Sequence, residues 1–373
     1  MRILHCFRSP IGGIFRHVRD LAIEQSKAGH SVGILCDSST GGEHEERLFK
    51  SILPHLQLGL MRIPIDRSIS LRDIPVFWRS YKEIRSLRPD ILHGHGAKGG
   101  AMARLAGTAL RVNRYRVSRL YSPHGGSLHF NPKRLTGWAV FRLEKILEMA
   151  TDAIVFVCEF ERNIYQAKVG PIRVRNEVVY NGIGESDFVR VPENPDAVHF
   201  LYVGMLRDLK GPDIFIDAFA KAERILQRPL SAMMIGDGPQ KDDYLQMMTV
   251  RGLGRRITMQ PAMDIREAFA MSSTVVVPSR AESMPYIVLE TLAAGKTVIA
   301  SDVGGIAEVL GKGSRALVQA GNSDALAKIM AESLVEPDWS ASNMPDREKF
   351  HRVFSSSTMA SRITSLYQEL ASI

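Results

Sequence analysis

Short apolar runs alternate with polar loops and with segments whose apolar positions recur at helical spacing, from one end of the chain to the other. Residues 3–7, Ile-Leu-His-Cys-Phe, read as a short buried strand, and residues 8–13 as a loop. Residues 14–28 then read as a helix, apolar at 14, 18, 21 and 22 and stopped by Gly29. The same rhythm predicts strands at 31–36, 90–93, 115–121, 153–157 and 178–180. Strands separated by helices belong in a parallel sheet covered on both faces.

The rhythm restarts after residues 191–195, Val-Pro-Glu-Asn-Pro, whose two prolines in a polar stretch have the composition of an interdomain linker. Beyond it the pattern predicts strands at 199–204, 231–235, 257–260, 274–278 and 298–301, with helices at 212–226 and 285–294. The fold class is therefore α/β, with one doubly wound Rossmann-like domain over 1–190, a second over 196–355 and a C-terminal helix over 356–373. A length of 373 residues suits two domains. Two such domains leave a cleft between the carboxyl ends of their strands, where ligands of open α/β sheets bind.

Composition narrows the classes. Hydrophobic residues make up 45% and charged residues 24% of the chain, as in globular proteins. No run approaches the roughly 18 apolar residues of a membrane span, and the apolar start 1–7, broken by Arg8 and Pro10, is too short for a signal-peptide core. A cytoplasmic protein is expected, one that can still lie against the inner face of a membrane. Cys6, Cys36 and Cys158 are widely spaced and outside any CxxC pattern, so neither a disulfide framework nor a thiolate metal site is indicated.

Charge is unevenly placed. The first 195 residues hold 29 Lys and Arg against 19 Asp and Glu, a charge of +10, and the remainder 19 against 21, a charge of −2. Residues 91–143 contain nine cations (Lys98, Arg104, Arg111, Arg114, Arg116, Arg119, Lys133, Arg134, Arg142) and no acid, which predicts an unneutralised field and an anionic partner. Phospholipid headgroups and an acidic acceptor are the candidates. Nucleic acid is not expected, for want of aromatic interleaving and of a zinc-finger or RNP signature.

The most informative segment is AESMPYIVLETLAAGKTVIAS at 281–301. It places Glu282 in a loop, Pro285 in the first helical turn and Glu290 in the second, two carboxylates at one helix mouth. The helix N-terminus suits a phosphate, and a carboxylate one turn in can accept hydrogen bonds from ribose or sugar hydroxyls. In YVGMLRDLKGPDIFIDAF, Arg207 and Lys210 occupy the loop after the first strand of the second domain, where two cations can neutralise a diphosphate as a metal ion does elsewhere. Gly12-Gly13 lies between the first strand and its helix, and His124 follows a strand in YSPHGGSLHF. His93 and His95 in HGHGAKGG share a strand face, but no third ligand at a recognisable spacing accompanies them, so no metal site is predicted.

The Glu-x7-Glu spacing, the Ala-Ala-Gly helix end and the following VIASDVGGIAEVL resemble the nucleotide-sugar signature of retaining GT-B glycosyltransferases of family 4, the glycosyl transferases group 1. The likeness extends over the whole chain, through VVYNGI and IGDGP to the last helix, which in the family commonly crosses back onto the first domain. It implies a GT-B fold, two Rossmann-like domains facing a central cleft, and a nucleotide-diphosphate sugar as donor, needing no metal or cofactor. By the same resemblance Arg207 and Lys210 bind the pyrophosphate, Glu290 the ribose and Glu282 the donor sugar, while His124 lies at the reacting face. Gly13 would adjoin the donor phosphate and Gly12 the acceptor side, while Lys98 reads as an acceptor-side or structural cation. One departure matters. Where the family's loop often reads Gly-Phe-Gly, this chain has Ser283-Met284-Pro285, so the amides of Met284 and Tyr286 must serve the phosphate.

The resemblance implies a bacterial lipopolysaccharide or exopolysaccharide transferase, with GDP-mannose ahead of UDP-hexoses as donor. Two other readings stay open, a sugar-nucleotide epimerase on the same fold and a non-catalytic sugar-binding module. A dinucleotide oxidoreductase is disfavoured, because the first strand leads into Ser9-Pro10-Ile11-Gly12-Gly13 and not G-x-G-x-x-G.

Overall fold

The structure, a computed structural model, describes residues 1–67, 70 and 73–372. It divides into two units, Met1–Gly182 with the segment from Phe354 onward, and Ile183–Val353. In the first unit the strands are β1 (Arg2–Phe7), β2 (Ser31–Asp37), β3 (Gly59–Ile63), β4 (Ile91–His95), β5 (Ser118–Ser122), β6 (Ala153–Phe156) and β7 (Arg175–Val178). They form a parallel sheet in the order β3-β2-β1-β4-β5-β6-β7. The connecting helices are α1 (Gly13–Lys27), α2 (Glu43–Ile52), α3 (Asp73–Leu87), α4 (Gly96–Val112), α5 (Leu135–Glu148) and α6 (Glu159–Val169).

In the second unit the strands are β8 (Phe200–Val203), β9 (Ala232–Ile235), β10 (Ile257–Gln260), β11 (Thr274–Val277), β12 (Thr297–Ser301) and β13 (Leu317–Val318). Their order is β10-β9-β8-β11-β12-β13, again parallel. Around this sheet run α7 (Pro212–Leu226), α8 (Lys241–Val250), α9 (Ile265–Ala270), α10 (Tyr286–Ala293), α11 (Ile306–Leu310), α12 (Ser323–Val335) and α13 (Trp339–Asn343). α14 (Arg347–Phe354) and α15 (Ser356–Ser372) close the chain.

Two parallel Rossmann-like sheets are thus present, as the alternating pattern implies. The departures fall at the sheet edges. The strand expected at 178–180 is β7, three residues earlier, and β3 and β13 are not foreshadowed by the pattern at all. An edge strand pairs on one side only and is less buried, so Arg175, Asn176 and Glu177 are tolerated in it and the apolar signal fades. The proline-containing stretch is not a free linker either. The amides of Val191, Asn194 and Val198 donate to the carbonyls of Ala294, Ala270 and Met271, fastening it to the second unit, and the division falls earlier, at Gly182.

Alternate residues of β1 face opposite sides of the sheet. Leu4 and Cys6 join Leu35, Leu92 and residues of α3 and α4, whereas Ile3 joins Leu21, Ile91, Val155 and the buried face of α15, Met359, Ala360, Ile363, Leu366 and Tyr367. His5 and His93 therefore lie under α1 and α15, in positions where a core aliphatic would serve. The three cysteines are buried and form no disulfide among the described residues. No helix among the described residues is long and apolar enough to cross a membrane. Each sheet has one place where the strand order reverses, between β1 and β4 and between β8 and β11, and in open α/β sheets ligands bind outside the carboxyl ends at such a point.

Candidate functional site

The carboxyl end of β8 leads through Arg207 into a single 3-10 turn, Asp208–Lys210, and then Gly211. Gly211 has a φ of +67°, and a Cβ there would stand 2.2 Å from the carbonyl oxygen of Pro278, just past β11. Only glycine permits this approach. The Arg280 amide donates to the Leu209 carbonyl at 2.9 Å, so the loops after β8 and β11 are welded across the reversal point. The consequence is a direct pairing. Lys210 Nζ lies 2.5 Å from Glu282 Oε1, which also accepts from Ser279 Oγ at 2.7 Å.

The loop after β12 closes over the other side. Gly304, φ +63°, leaves 2.5 Å between the site of a Cβ and the carbonyl oxygens of Glu282 and Ser283, and Gly305 N–H donates to Ser283 O. Behind Lys210, Arg280 grips Asp213 through both its nitrogens, at 2.9 and 2.6 Å. Burial works against the Asp213 charge, but the Arg280 hydrogen bonds hold its carboxyl below the usual range. Arg207 Nε is buried and has no hydrogen-bond partner among the described residues. Pro285 is the N-cap of α10 and stands just outside its first turn, so the helix starts at Tyr286 and Glu290 lies in its second turn, half-buried. Met284 and Tyr286 are buried at the helix mouth. Two cations, a carboxylate and a helix N-terminus are thus gathered at one strand-order reversal, a set able to hold a diphosphate and the hydroxyls attached to it.

The first unit has its own cluster at the corresponding place. Gly12 has a φ of +73° and caps α1, which begins at Gly13. β1 and β4 pair with His5 opposite His93 and Phe7 opposite His95. His124 follows β5 in the left-handed region, φ +52°, a conformation costing a non-glycine residue on the order of 1 kcal/mol. The buried Glu161 holds that turn by accepting from the amides of Gly125 and Val157. His17, on α1, comes within 4.7 Å of the His124 ring, centroid to centroid. Burial is the main cause of lowered pKa values throughout. It brings His5 and His17 down to about 4, and His93, His95 and His124 well below the ordinary histidine value. The cluster is uncharged at neutral pH.

Residues 11–186 match the family model described as Glycosyltransferase Family 4, and residues 185–350 the one described as Glycosyl transferases group 1. The chain belongs to these glycosyltransferases. TuaC, a Bacillus subtilis glycosyltransferase assigned to teichuronic acid biosynthesis, is 26% identical over 269 residues, which span 68% of this chain and 64% of TuaC. An uncharacterized glycosyltransferase of Methanocaldococcus jannaschii is 24% identical over 97% of this chain and 95% of its own length. Among solved structures, sucrose-phosphate synthase of Thermosynechococcus elongatus superposes with a TM-score of 0.79 at 18% identity, covering 100% of both chains. The lipopolysaccharide outer core galactosyltransferase WaaB does so with a TM-score of 0.67 at 14% identity, over 99% of this chain and 100% of its own. At these identities the structural likeness shows the fold, GT-B.

In this glycosyltransferase the second unit brings Lys210 and Glu282 into contact, with Arg207, Met284, Tyr286 and Glu290 on the same or adjoining loops and helix. Gly12, Gly13 and His124 belong to the first unit. Lys98, near the start of α4, is ion-paired to Asp73 at 2.7 Å. Sequence reasoning missed His5, His17, Gln25 and Glu161. A third potential ligand beside His93 and His95, which sequence spacing does not show, is an imidazole: ring nitrogens of His5, His93 and His95, and of His17, His95 and His124, fall within 4.8 Å of one another. Strand pairing supplies that partner across 90 residues of chain, a separation no local spacing reports. A histidine inside a three-residue apolar setting, as at His5, was the one available signal.

The acid-free stretch is corrected as well. Asp152 pairs with both Arg111 and Arg119 at 2.6 and 2.8 Å, Glu144 with the fully buried Arg104 at 3.0 Å, and Asp73 with Lys98. Acids from outside the stretch neutralise four of its nine cations, because adjacent strands and helices bring them alongside. Arg114, Arg116, Lys133, Arg134 and Arg142 remain exposed.

Proposed function

We propose that this glycosyltransferase moves a sugar from a nucleotide-diphosphate donor onto a cell-envelope glycan, lipopolysaccharide core or exopolysaccharide, with retention and without a metal ion. The observation that carries the reading is the Lys210–Glu282 pair at the reversal point between β8 and β11, with Arg207 leading into the same loop and its Nε buried without a hydrogen-bond partner among the described residues. Arg207 and Lys210 hold the diphosphate, the first-turn amides of α10 assist, Glu290 takes the ribose and Glu282 the donor sugar. His124 meets the reacting face.

The glycosidic bond between the anomeric carbon and the phosphate oxygen breaks, and the two cations stabilise the charge that grows on the leaving diphosphate. An oxocarbenium-like centre forms. The acceptor oxygen bonds to it on the face the diphosphate left, and its proton passes to a phosphate oxygen. The protein lowers the barrier by holding the two substrates in place and by aiming fixed positive charge at the leaving group. An envelope glycan as acceptor is supported by the names of two similar proteins, TuaC and WaaB.

A cytoplasmic enzyme in peripheral contact with an anionic membrane completes the proposal. α5 supports it. Leu135, Trp138, Leu143, Ile146 and the following Met149 are exposed along one side, Leu135 and Met149 by 80% and 79%, and Lys133, Arg134 and Arg142 flank them. An apolar stripe beside cations fits the headgroup boundary of an anionic bilayer.

A screen of nucleotide sugars, read as release of free nucleotide, tests the donor assignment. GDP-mannose should be turned over first and UDP-hexoses next, with EDTA leaving the rate unchanged. Loss of activity that magnesium or manganese restores would overturn the metal-independent mechanism, and free epimerised sugar without an acceptor would replace the transferase reading by an epimerase.

A further inference from the structure

The histidines of the first unit are joined in a line. Gln25 Oε1 lies 2.9 Å from His5 Nε2, His5 Nδ1 lies 3.0 Å from His95 Nε2, and His95 Nδ1 lies 3.0 Å from His124 Nε2. His5 and His95 are buried, and His124 ends the line just past the carboxyl end of β5, the strand beside β4. A neutral imidazole has one N–H and one lone pair, so each hydrogen bond in such a line dictates the next. A carboxamide oxygen only accepts. His5 Nε2 therefore carries the proton toward Gln25, and its Nδ1 must accept. His95 Nε2 then donates to His5, and His95 Nδ1 accepts in turn. The last proton sits on His124 Nε2, which leaves the lone pair on His124 Nδ1.

We propose that Gln25, His5 and His95 are positioning residues that fix His124 in its Nε2–H tautomer, so that Nδ1 is presented as a hydrogen-bond acceptor for a substrate hydroxyl. The proposal rests on the reading of His124 as a reacting-face residue. Burial keeps every ring in the line neutral, which a directed relay requires: the His5 value falls to about 4, and those of His95 and His124 fall well below the ordinary one. The left-handed backbone at His124 gains a reason too, since it delivers Nε2 to the end of the line. His17 is oriented separately. Its Nδ1 donates to Asn181 Oδ1 at 3.0 Å, and its buried Nε2 has no hydrogen-bond partner among the described residues.

The test is nitrogen NMR on the full chain labelled at histidine, with His124 assigned by its absence in His124→Gln. Wild type should show a pyrrole-type Nε2 and a pyridine-type Nδ1 at His124. Gln25→Glu, which can only accept, should keep that pattern, whereas Gln25→Leu should give a mixture of tautomers. A protonated Nδ1 in wild type would mean that the Gln25 amide is turned round and the line runs the other way, which overturns the proposal. So would a His124 signal indifferent to Gln25→Leu. If Gln25→Leu does not fold, wild type and Gln25→Glu still decide the direction. Stoichiometric zinc bound by wild type and lost in His17→Ala would also overturn it, because His17, His95 and His124 would then be ligands. No substrate enters these measurements, so the relay is judged apart from the function. With the donor found by screening, Gln25→Leu should lower kcat about tenfold at unchanged KM. An unchanged kcat alongside mixed tautomers would remove His124 from the reacting face and leave the relay standing.

Discussion

A buried histidine is inexpensive while neutral and costly once protons compete for it. His5 and His17 are held near 4 by burial, below the ordinary value of about 6.5, so the folded chain binds fewer protons than the unfolded chain between those limits. Stability contributed by these groups is complete above about pH 6.5 and is lost as pH falls toward 4, at about 1.4 kcal/mol per pH unit for each histidine. The melting temperature should therefore drop steeply as pH falls through that window. His5→Gln and His17→Gln, combined, should make the slope shallower even where they lower the melting temperature at pH 7. An identical slope in the double variant would show that the acid sensitivity lies elsewhere.

At the scale of elements, the helix that stands out is the one whose outer side is least suited to water. α5 exposes Leu135, Trp138, Leu143 and Ile146 at helical spacing, while Phe141 and Leu147 are buried on its other side. Replacing Leu135, Trp138 and Ile146 together by Ser should at least halve retention on phosphatidylglycerol vesicles at low salt, and leave nucleotide release from the donor unchanged. Changing Arg111 and Arg119 to Gln should do less to binding and more to stability, since Asp152 already engages both. Sedimentation checks both sets, with neutral vesicles as the control. Equal sedimentation with neutral and anionic vesicles would remove the membrane from the proposal.

For the whole molecule, the last helix belongs to the first unit's core. Ile363 and Leu366 are buried against Ile3, Leu21 and Ile91, so Ile363→Ala or Leu366→Ala should cost about 2–5 kcal/mol. Hydrogen exchange should accelerate in β1 and β4 and stay unchanged in β8, and equal acceleration in both units would contradict the assignment of α15 to one of them. Much of this architecture was legible in the chain. Apolar runs such as residues 3–7 and 274–277 mark central strands because a strand buried on both faces tolerates little else, and the Glu282, Glu290, Arg207 and Lys210 motifs are local, fixed by a loop and the turn that follows it. What pairs across the chain was not legible. The edge strands β3, β7 and β13 carry weak apolar signals, the acids that neutralise Arg104, Arg111 and Arg119 come from other elements, and His5 meets His95 only because β1 and β4 lie side by side. Periodicity reports which face of an element is buried; which elements then become neighbours, and so which charges cancel and which imidazoles join, is decided by how the chain packs.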